Sequence, residues 1–176
     1  FGQTNINILE IGFGTGLNAF LSLLESQRNH RSINYTTVEL YPLPPEVTDK
    51  LNYPALIAPE CGDLFARLHH CEWNRPVAIA PQFTLHKRLV DLTQTSIEGI
   101  YDVIYFDAFA PEKQPEMWDE SIFRGIYGHL TPGGILTTYC AKGEIRRRLQ
   151  SVGFTVERLP GPLHGKREIL RAVKAY

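Results

Sequence analysis

Seven consecutive residues near the start of the chain, Glu10-Ile11-Gly12-Phe13-Gly14-Thr15-Gly16, place a carboxylate ahead of alternating glycines. Glycines in such a loop permit backbone angles closed to other residues and let a ligand approach the main chain. The dinucleotide fingerprint GxGxxG, counted from Gly12, would need glycine at position 17, where Leu17 stands instead. The motif is therefore GxGxG with an acid two residues ahead. A carboxylate beside the loop suits a ligand carrying an ammonium and a sulfonium better than a pyrophosphate. The loop thus reads as a seat for S-adenosylmethionine, with Glu10, Gly12, Phe13, Gly14, Thr15 and Gly16 as cofactor-binding residues. A turn that binds nothing is the alternative, and three glycines would cost backbone entropy there without a purpose.

Three further carboxylates have informative places. Glu39 closes an apolar run about 20 residues past the loop, where an acid can accept hydrogen bonds from ribose hydroxyls. Asp91 ends the run from Phe83 to Val90 and could meet an adenine amino group, although an aspartate capping the next helix would look the same. Asp107 leaves the apolar run Tyr101 to Phe106. A carboxylate there could orient an amine nucleophile and receive its proton, so Asp107 is the expected catalytic residue and lies beside the cofactor. Phe109, Pro111 and Trp118 supply apolar and stacking surface for a flat base or neutral amine. Asp102, at the other end of the same run, reads as structural.

The elements that must position these residues follow from periodicity. Strands are expected at Ile6 to Ile11, Ile33 to Val38, Val77 to Ala80, Phe83 to Val90, Tyr101 to Phe106, Ile135 to Tyr139, Phe154 to Arg158 and Glu168 to Val173. Helices are expected from Leu17 to about Arg28, with Leu17, Phe20, Leu21 and Leu24 facing the core, and over Cys61 to His70, Ser121 to Leu130 and Lys142 to Ser151. A further helix should start at Pro44-Pro45, and Gly153 should end the last one. Strands separated by helices pair in parallel through right-handed crossovers. The last two have no helix between them and should pair antiparallel. The expected architecture is an α/β, Rossmann-like methyltransferase fold: a mostly parallel seven-stranded sheet with a C-terminal antiparallel hairpin.

Composition bounds the alternatives. A chain of 176 residues favours one domain, 1–176, with a substantial core. Phe1 stands just before an apolar strand with no initiator methionine, so a natural N-terminal segment is expected to be missing. No apolar run reaches membrane-spanning length. Cys61, Cys71 and Cys140 form no CxxC pair and the histidines have no metal spacing, which argues against a metal site or disulfide framework and for a reducing cytoplasm. His69 and His70 read as an ordinary helix surface.

Taken together, Glu10-Ile-Gly-Phe-Gly-Thr-Gly-Leu-Asn18, Val38-Glu39, Phe106-Asp107-Ala-Phe-Ala-Pro111-Glu-Lys113, Pro115-Glu-Met-Trp118, Thr131-Pro-Gly-Gly134 and Gly165-Lys-Arg-Glu168 resemble the methyltransferase domain family of the bifunctional tRNA 5-methylaminomethyl-2-thiouridine biosynthesis protein. The resemblance runs across nearly the whole chain. It implies methylation of the aminomethyl group at C5 of the tRNA wobble uridine, with S-adenosylmethionine held by Glu10, Gly12, Gly14, Gly16 and Glu39, and with Asp107 beside the methyl group. Asn18 joins the cofactor residues through the same motif, and Asp91 falls where the family has an acid near the adenine. The family's fused flavin oxidase and its N-terminal covering segment have no counterpart in this sequence. A separate flavin oxidase acting in the same pathway would then be a partner of a stand-alone member. Alanine follows Asp107 where glycine is common.

Lys142, Arg146, Arg147, Arg148, Arg158, Lys166, Arg167 and Arg171 gather in the last third of the chain. They could contact phosphates of the tRNA anticodon region, or form a solvated surface. Lys166 and Arg167 have the better support because the family motif matches there, and Lys113 is expected to face the anticodon as well. A small-molecule methyltransferase, an aminopropyltransferase of the same fold and a non-catalytic cofactor-binding module are the rival readings.

Overall fold

The computed structural model describes residues 5–162, 165 and 168–176. The chain forms two compact units, one of Phe1–Asn7 and Phe13–Val90, the other of Ile8–Gly12 and Asp91–Tyr176. Strand β1 (Asn5–Ile11) runs through both.

The first unit holds helix α1 (Leu17–Asn29), strand β2 (Ser32–Glu39), the short helices α2 (Pro45–Thr48) and α3 (Tyr53–Ile57), helix α4 (Gly62–His70), and strands β3 (Pro76–Ala80) and β4 (Phe83–Leu89). β2 pairs in parallel with β4, and β3 pairs antiparallel with β4 across a bulge. β3 is the eighth strand, one more than the expected seven-stranded sheet. It reaches β4 by a tight turn, not a crossover, and begins with Pro76, which lacks a ladder donor. The core-facing stripe of α1 also differs from expectation. Ala19, Phe20, Leu23 and Ser26 are buried, whereas Leu21 is exposed. Phe20 meets Phe65 of α4 with ring centroids 5.1 Å apart.

The second unit holds the remainder of β1 with β5 (Tyr101–Phe106), β6 (Leu130–Thr138), β7 (Phe154–Pro160) and β8 (Glu168–Lys174), and helices α5 (Glu120–Gly128) and α6 (Gly143–Val152). Its hydrogen-bonded order is β1-β5-β6-β8-β7. The first two pairings are parallel and the last two antiparallel. Asp119 caps α5 by accepting the Ser121 amide at 2.9 Å, and Gly153, at φ +119°, ends α6 as its sequence indicates. Among the described residues no helix is long and apolar enough to cross a membrane.

Phe123 on α5 is fully buried, with Phe106 at 5.2 Å and Trp118 at 6.3 Å between ring centroids. Phe123→Ala should lower unfolding free energy by about 3–5 kcal/mol through lost burial and a cavity. Phe123→Leu should cost distinctly less. Chemical denaturation monitored by circular dichroism measures both.

Candidate active site

β1 lies beside β5 with Glu10 opposite Tyr105 and Ile11 opposite Phe106. One further bond continues this ladder, the Asp107 amide donating to the Ile11 carbonyl at 2.9 Å. Gly12 and Asp107 are thereby brought together from distant points in the sequence. Gly12 has φ +93°, and a Cβ there would stand 2.7 Å from the Asp107 carbonyl oxygen. Glycine is needed on both counts. Glu10, two residues before Gly12, is fully buried.

Past Gly12 the loop turns into α1. Gly16, at φ +70°, donates its amide to the Phe13 carbonyl at 2.9 Å and accepts the Phe20 amide at 2.9 Å. Gly14 donates to a Glu39 carboxylate oxygen at 3.2 Å. The other Glu39 oxygen accepts the amides of Leu40 at 2.9 Å and Tyr41 at 2.8 Å. The acid at the end of β2 is thus tied directly to the glycine loop. Phe13 turns its ring inward, 5.4 Å from His69 and 6.3 Å from Trp73, so it can offer a ligand only its main chain. Asn18 is half-buried in the first turn of α1, its carbonyl accepting the Ser22 hydroxyl at 2.8 Å.

His69 is not the plain surface residue expected from sequence. Its Nε2 lies 3.2 Å from the Thr15 carbonyl, and burial, reinforced by nearby Lys87, holds its pKa down at about 4. His70 does face solvent, 2.8 Å from an Asp49 carboxylate oxygen. Lys87 on β4 is fully buried and donates to the His69 carbonyl at 2.5 Å. Its ammonium sits 4.8 Å from the Trp73 ring and 5.7 Å from that of Phe13, and burial lowers its pKa. The sequence marks Lys87 only by its inward position in a strand of alternating burial.

The loop after β5 presents Asp107, Phe109 and Lys113 to solvent and leaves Pro111 half-buried. Trp118 does not provide the stacking surface expected of it. Its ring is fully buried against Phe106, 4.9 Å away, because its indole N–H donates to the Phe109 carbonyl at 2.7 Å from beneath. Tyr139 adds a second clamp, its hydroxyl donating to the Ala108 carbonyl at 2.9 Å. Burial first, then the neighbouring Cys140 and Asp107, raise the Tyr139 pKa, keeping that donor protonated. Arg148 donates to the Trp118 carbonyl at 2.8 Å. Tyr139 and Arg148 carry no sequence signal for this role; only their distant partners define it.

Asp91 accepts the Thr93 amide at 2.8 Å and the Thr93 hydroxyl at 2.7 Å, closing a local turn. Asp102 is buried and accepts the Thr131 hydroxyl at 3.3 Å, a structural role. Among the basic residues, Lys142 pairs with Glu112, Arg158 with Glu168 at 3.2 Å, and Arg171 with Glu157 at 3.1 Å. Arg146 is half-buried and Arg147 exposed. Lys166 and Arg167 lie outside the described residues.

An α/β chain with a glycine loop at the carboxyl end of its first strand, and an acid from the end of the second bonded to that loop, defines a nucleoside-cofactor protein of Rossmann-like type. A family model described as S-adenosyl-L-methionine-dependent methyltransferase matches residues 77–175, and the chain belongs to that family. The tRNA 5-methylaminomethyl-2-thiouridine biosynthesis bifunctional protein MnmC of Magnetococcus marinus is 32% identical over 184 residues, covering 97% of this chain and 27% of that protein. Its namesake from Ectopseudomonas mendocina is 33% identical over 171 residues, covering 92% and 26%. The chain thus spans about a quarter of the length of these curated relatives. Among solved structures, MNMC2 from Aquifex aeolicus superimposes with a TM-score of 0.71 at 22% identity, covering 99% of this chain and 55% of that one. A methyltransferase from Pyrococcus furiosus gives 0.59 at 18%, covering 100% and 78%. Both share the fold.

The residues fit S-adenosylmethionine. Gly14 is exposed, with no heavy atom within 4 Å of where its Cβ would be. Glu39 is half-buried, and its Oε2, which accepts the Gly14 amide, has a second lone pair for a ribose hydroxyl. The charged side chains of the loop and of the strand end tied to it, Glu10 and Glu39, are both acidic, as a cationic ligand requires.

Gly12→Ala should be destabilised by about 1–3 kcal/mol from its backbone conformation and should lose at least ~10-fold in affinity for S-adenosylmethionine, about 1.4 kcal/mol. Gly125→Ala, in the interior of α5 with open space around it, should be neutral or slightly stabilising. Calorimetric titration with denaturation curves separates the two.

Proposed function

We propose that this S-adenosylmethionine-dependent methyltransferase acts on the primary amine of the aminomethyl group at C5 of the tRNA wobble uridine, giving 5-methylaminomethyl-(2-thio)uridine. The observation that carries the reading is the exposed Asp107 on a clamped loop whose backbone abuts Gly12. That loop bears the sequence Phe106-Asp-Ala-Phe-Ala-Pro-Glu-Lys113 and ends in the buried Trp118. The names of the relatives from Magnetococcus and Ectopseudomonas support the choice of acceptor.

When bound, S-adenosylmethionine supplies a methyl group made electrophilic by its sulfonium. An amine attacks only when neutral, with its lone pair in line with the methyl carbon. Asp107 holds the amine through an N–H···O hydrogen bond, which aims the lone pair and leaves the carboxylate ready to take the proton released as the new C–N bond forms. Glu10, Gly12, Phe13, Gly14, Thr15, Gly16, Asn18, Glu39 and Asp91 serve the cofactor. Exposed Phe109 and half-buried Pro111 face the uracil ring.

Lys113, Lys166, Arg167 and the exposed Arg147 contact phosphates of the anticodon region. Lys142, Arg158 and Arg171 sit in half-exposed ion pairs of the kind worth little in water, about 0–1 kcal/mol, so exchanging a carboxylate for a phosphate costs them little. The enzyme works in the cytoplasm, and a flavin oxidase activity supplies the aminomethyl substrate.

Incubation with labelled S-adenosylmethionine and tRNA bearing aminomethyl-uridine, followed by nucleoside analysis, should show label in the methylaminomethyl nucleoside. Label in free small amines but not in tRNA would overturn the assignment. Asp107→Ala should lower kcat by about 10²–10⁴-fold while leaving cofactor affinity nearly intact. Affinity for tRNA should fall steeply with salt, by about 0.7–0.9 in log–log slope per phosphate contacted.

A further inference from the structure

The segment between β2 and β3 sends two side chains to the glycine loop. Tyr53, at the start of α3, has its hydroxyl 3.1 Å from the Thr15 hydroxyl. His69, near the end of α4, reaches the Thr15 carbonyl with Nε2 at 3.2 Å. A carbonyl only accepts, so this imidazole carries its proton on Nε2. Its pKa, lowered by burial to about 4, leaves the ring neutral at neutral pH, and the bond to the Thr15 carbonyl selects the tautomer.

The ring is itself fixed from several sides. Phe65 lies 4.8 Å away and Phe13 5.4 Å away between centroids. A Cβ on Gly16 would come 2.9 Å from its Nε2, so the histidine fills the space that a side chain at 16 would need. Behind it, the buried Lys87 donates to the main-chain carbonyl of His69. A continuous line of contacts therefore runs from β4 through Lys87 and His69 to Thr15, with Tyr53 holding the same residue by its side chain.

We propose that His69 and Tyr53 are positioning residues for the cofactor, fixing Thr15 by carbonyl and hydroxyl and thereby setting the directions in which the neighbouring glycine amides point. The inference rests on the reading of this loop as the cofactor seat. Both act through Thr15. They act by keeping the loop in its bound shape before the ligand arrives, which lowers the ordering cost of binding. Lys87 supports the line at one remove.

The test uses His69→Phe, which keeps a ring against Phe65 and Phe13 but loses the donor, and His69→Gln, which keeps a donor; Tyr53→Phe removes the second tether. Hydrogen exchange on the ligand-free protein should show the Gly14 to Leu17 amides exchanging about 5–10-fold faster in His69→Phe, the equivalent of one net hydrogen bond. Its Kd and KM for S-adenosylmethionine should rise by a similar factor while kcat at saturating cofactor changes less than about twofold, the pattern of lost uniform binding. His69→Gln should restore both, and Tyr53→Phe should show the same effects more weakly. Unchanged loop exchange and cofactor affinity in a stably folded His69→Phe would overturn the brace while leaving the cofactor seat standing. Failure of the wild-type protein to bind S-adenosylmethionine would overturn the seat and the role together. Faster exchange spread evenly over both units would reduce His69 to a general stability residue and overturn the inference.

Discussion

The approach of the Gly12 main chain to the Asp107 carbonyl is the constraint on which the arrangement of the two exit loops depends. One hydrogen bond beyond the regular β1–β5 ladder, from the Asp107 amide to the Ile11 carbonyl, brings the two exit loops together. At that spacing there is no room for a Cβ on residue 12. The glycine therefore does two things at once: it adopts a backbone angle that few other residues tolerate, and it leaves space for the strand that carries the acid. The loop after β1 and the loop after β5 thus share a backbone contact at Gly12 and Asp107.

Around that contact the exposed groups are held by buried ones. Asp107 and Phe109 face solvent, but the carbonyls between and beside them are pinned by the Tyr139 hydroxyl and the Trp118 indole, and Arg148 holds the Trp118 carbonyl in turn. Glu39 spends both carboxylate oxygens on backbone amides, including that of Gly14. Methyl transfer gains little from new charge and much from alignment, since displacement at carbon requires nucleophile, methyl and leaving group in line. A site made of short exposed side chains on firmly anchored backbone suits that requirement.

Burial of polar groups follows the same logic. Lys87 is removed from water yet donates to a backbone carbonyl and lies over two aromatic rings, which offsets part of the cost of desolvating an ammonium. His69 avoids most of that cost by staying neutral. Both lie on the inner side of the loop.

The sequence by itself determined the loop, the strands and the acids at their ends. Those features are local: glycines at fixed offsets, alternation within β4, apolar runs at β1 and β5, and an acid closing β2. They are written in a few consecutive residues and survive without knowledge of neighbours. Only the tertiary structure decided which way Phe13 and Trp118 point, which face of α1 is inward, and that Tyr53, His69, Tyr139 and Lys87 contact the two loops. The physical reason is that a side chain's direction depends on the volume left by residues far away in the chain. Trp118 looks like a platform in sequence and becomes an anchor because a carbonyl nine residues earlier needs its N–H. His69 looks like surface and becomes a brace because Gly16 leaves the space that its ring fills.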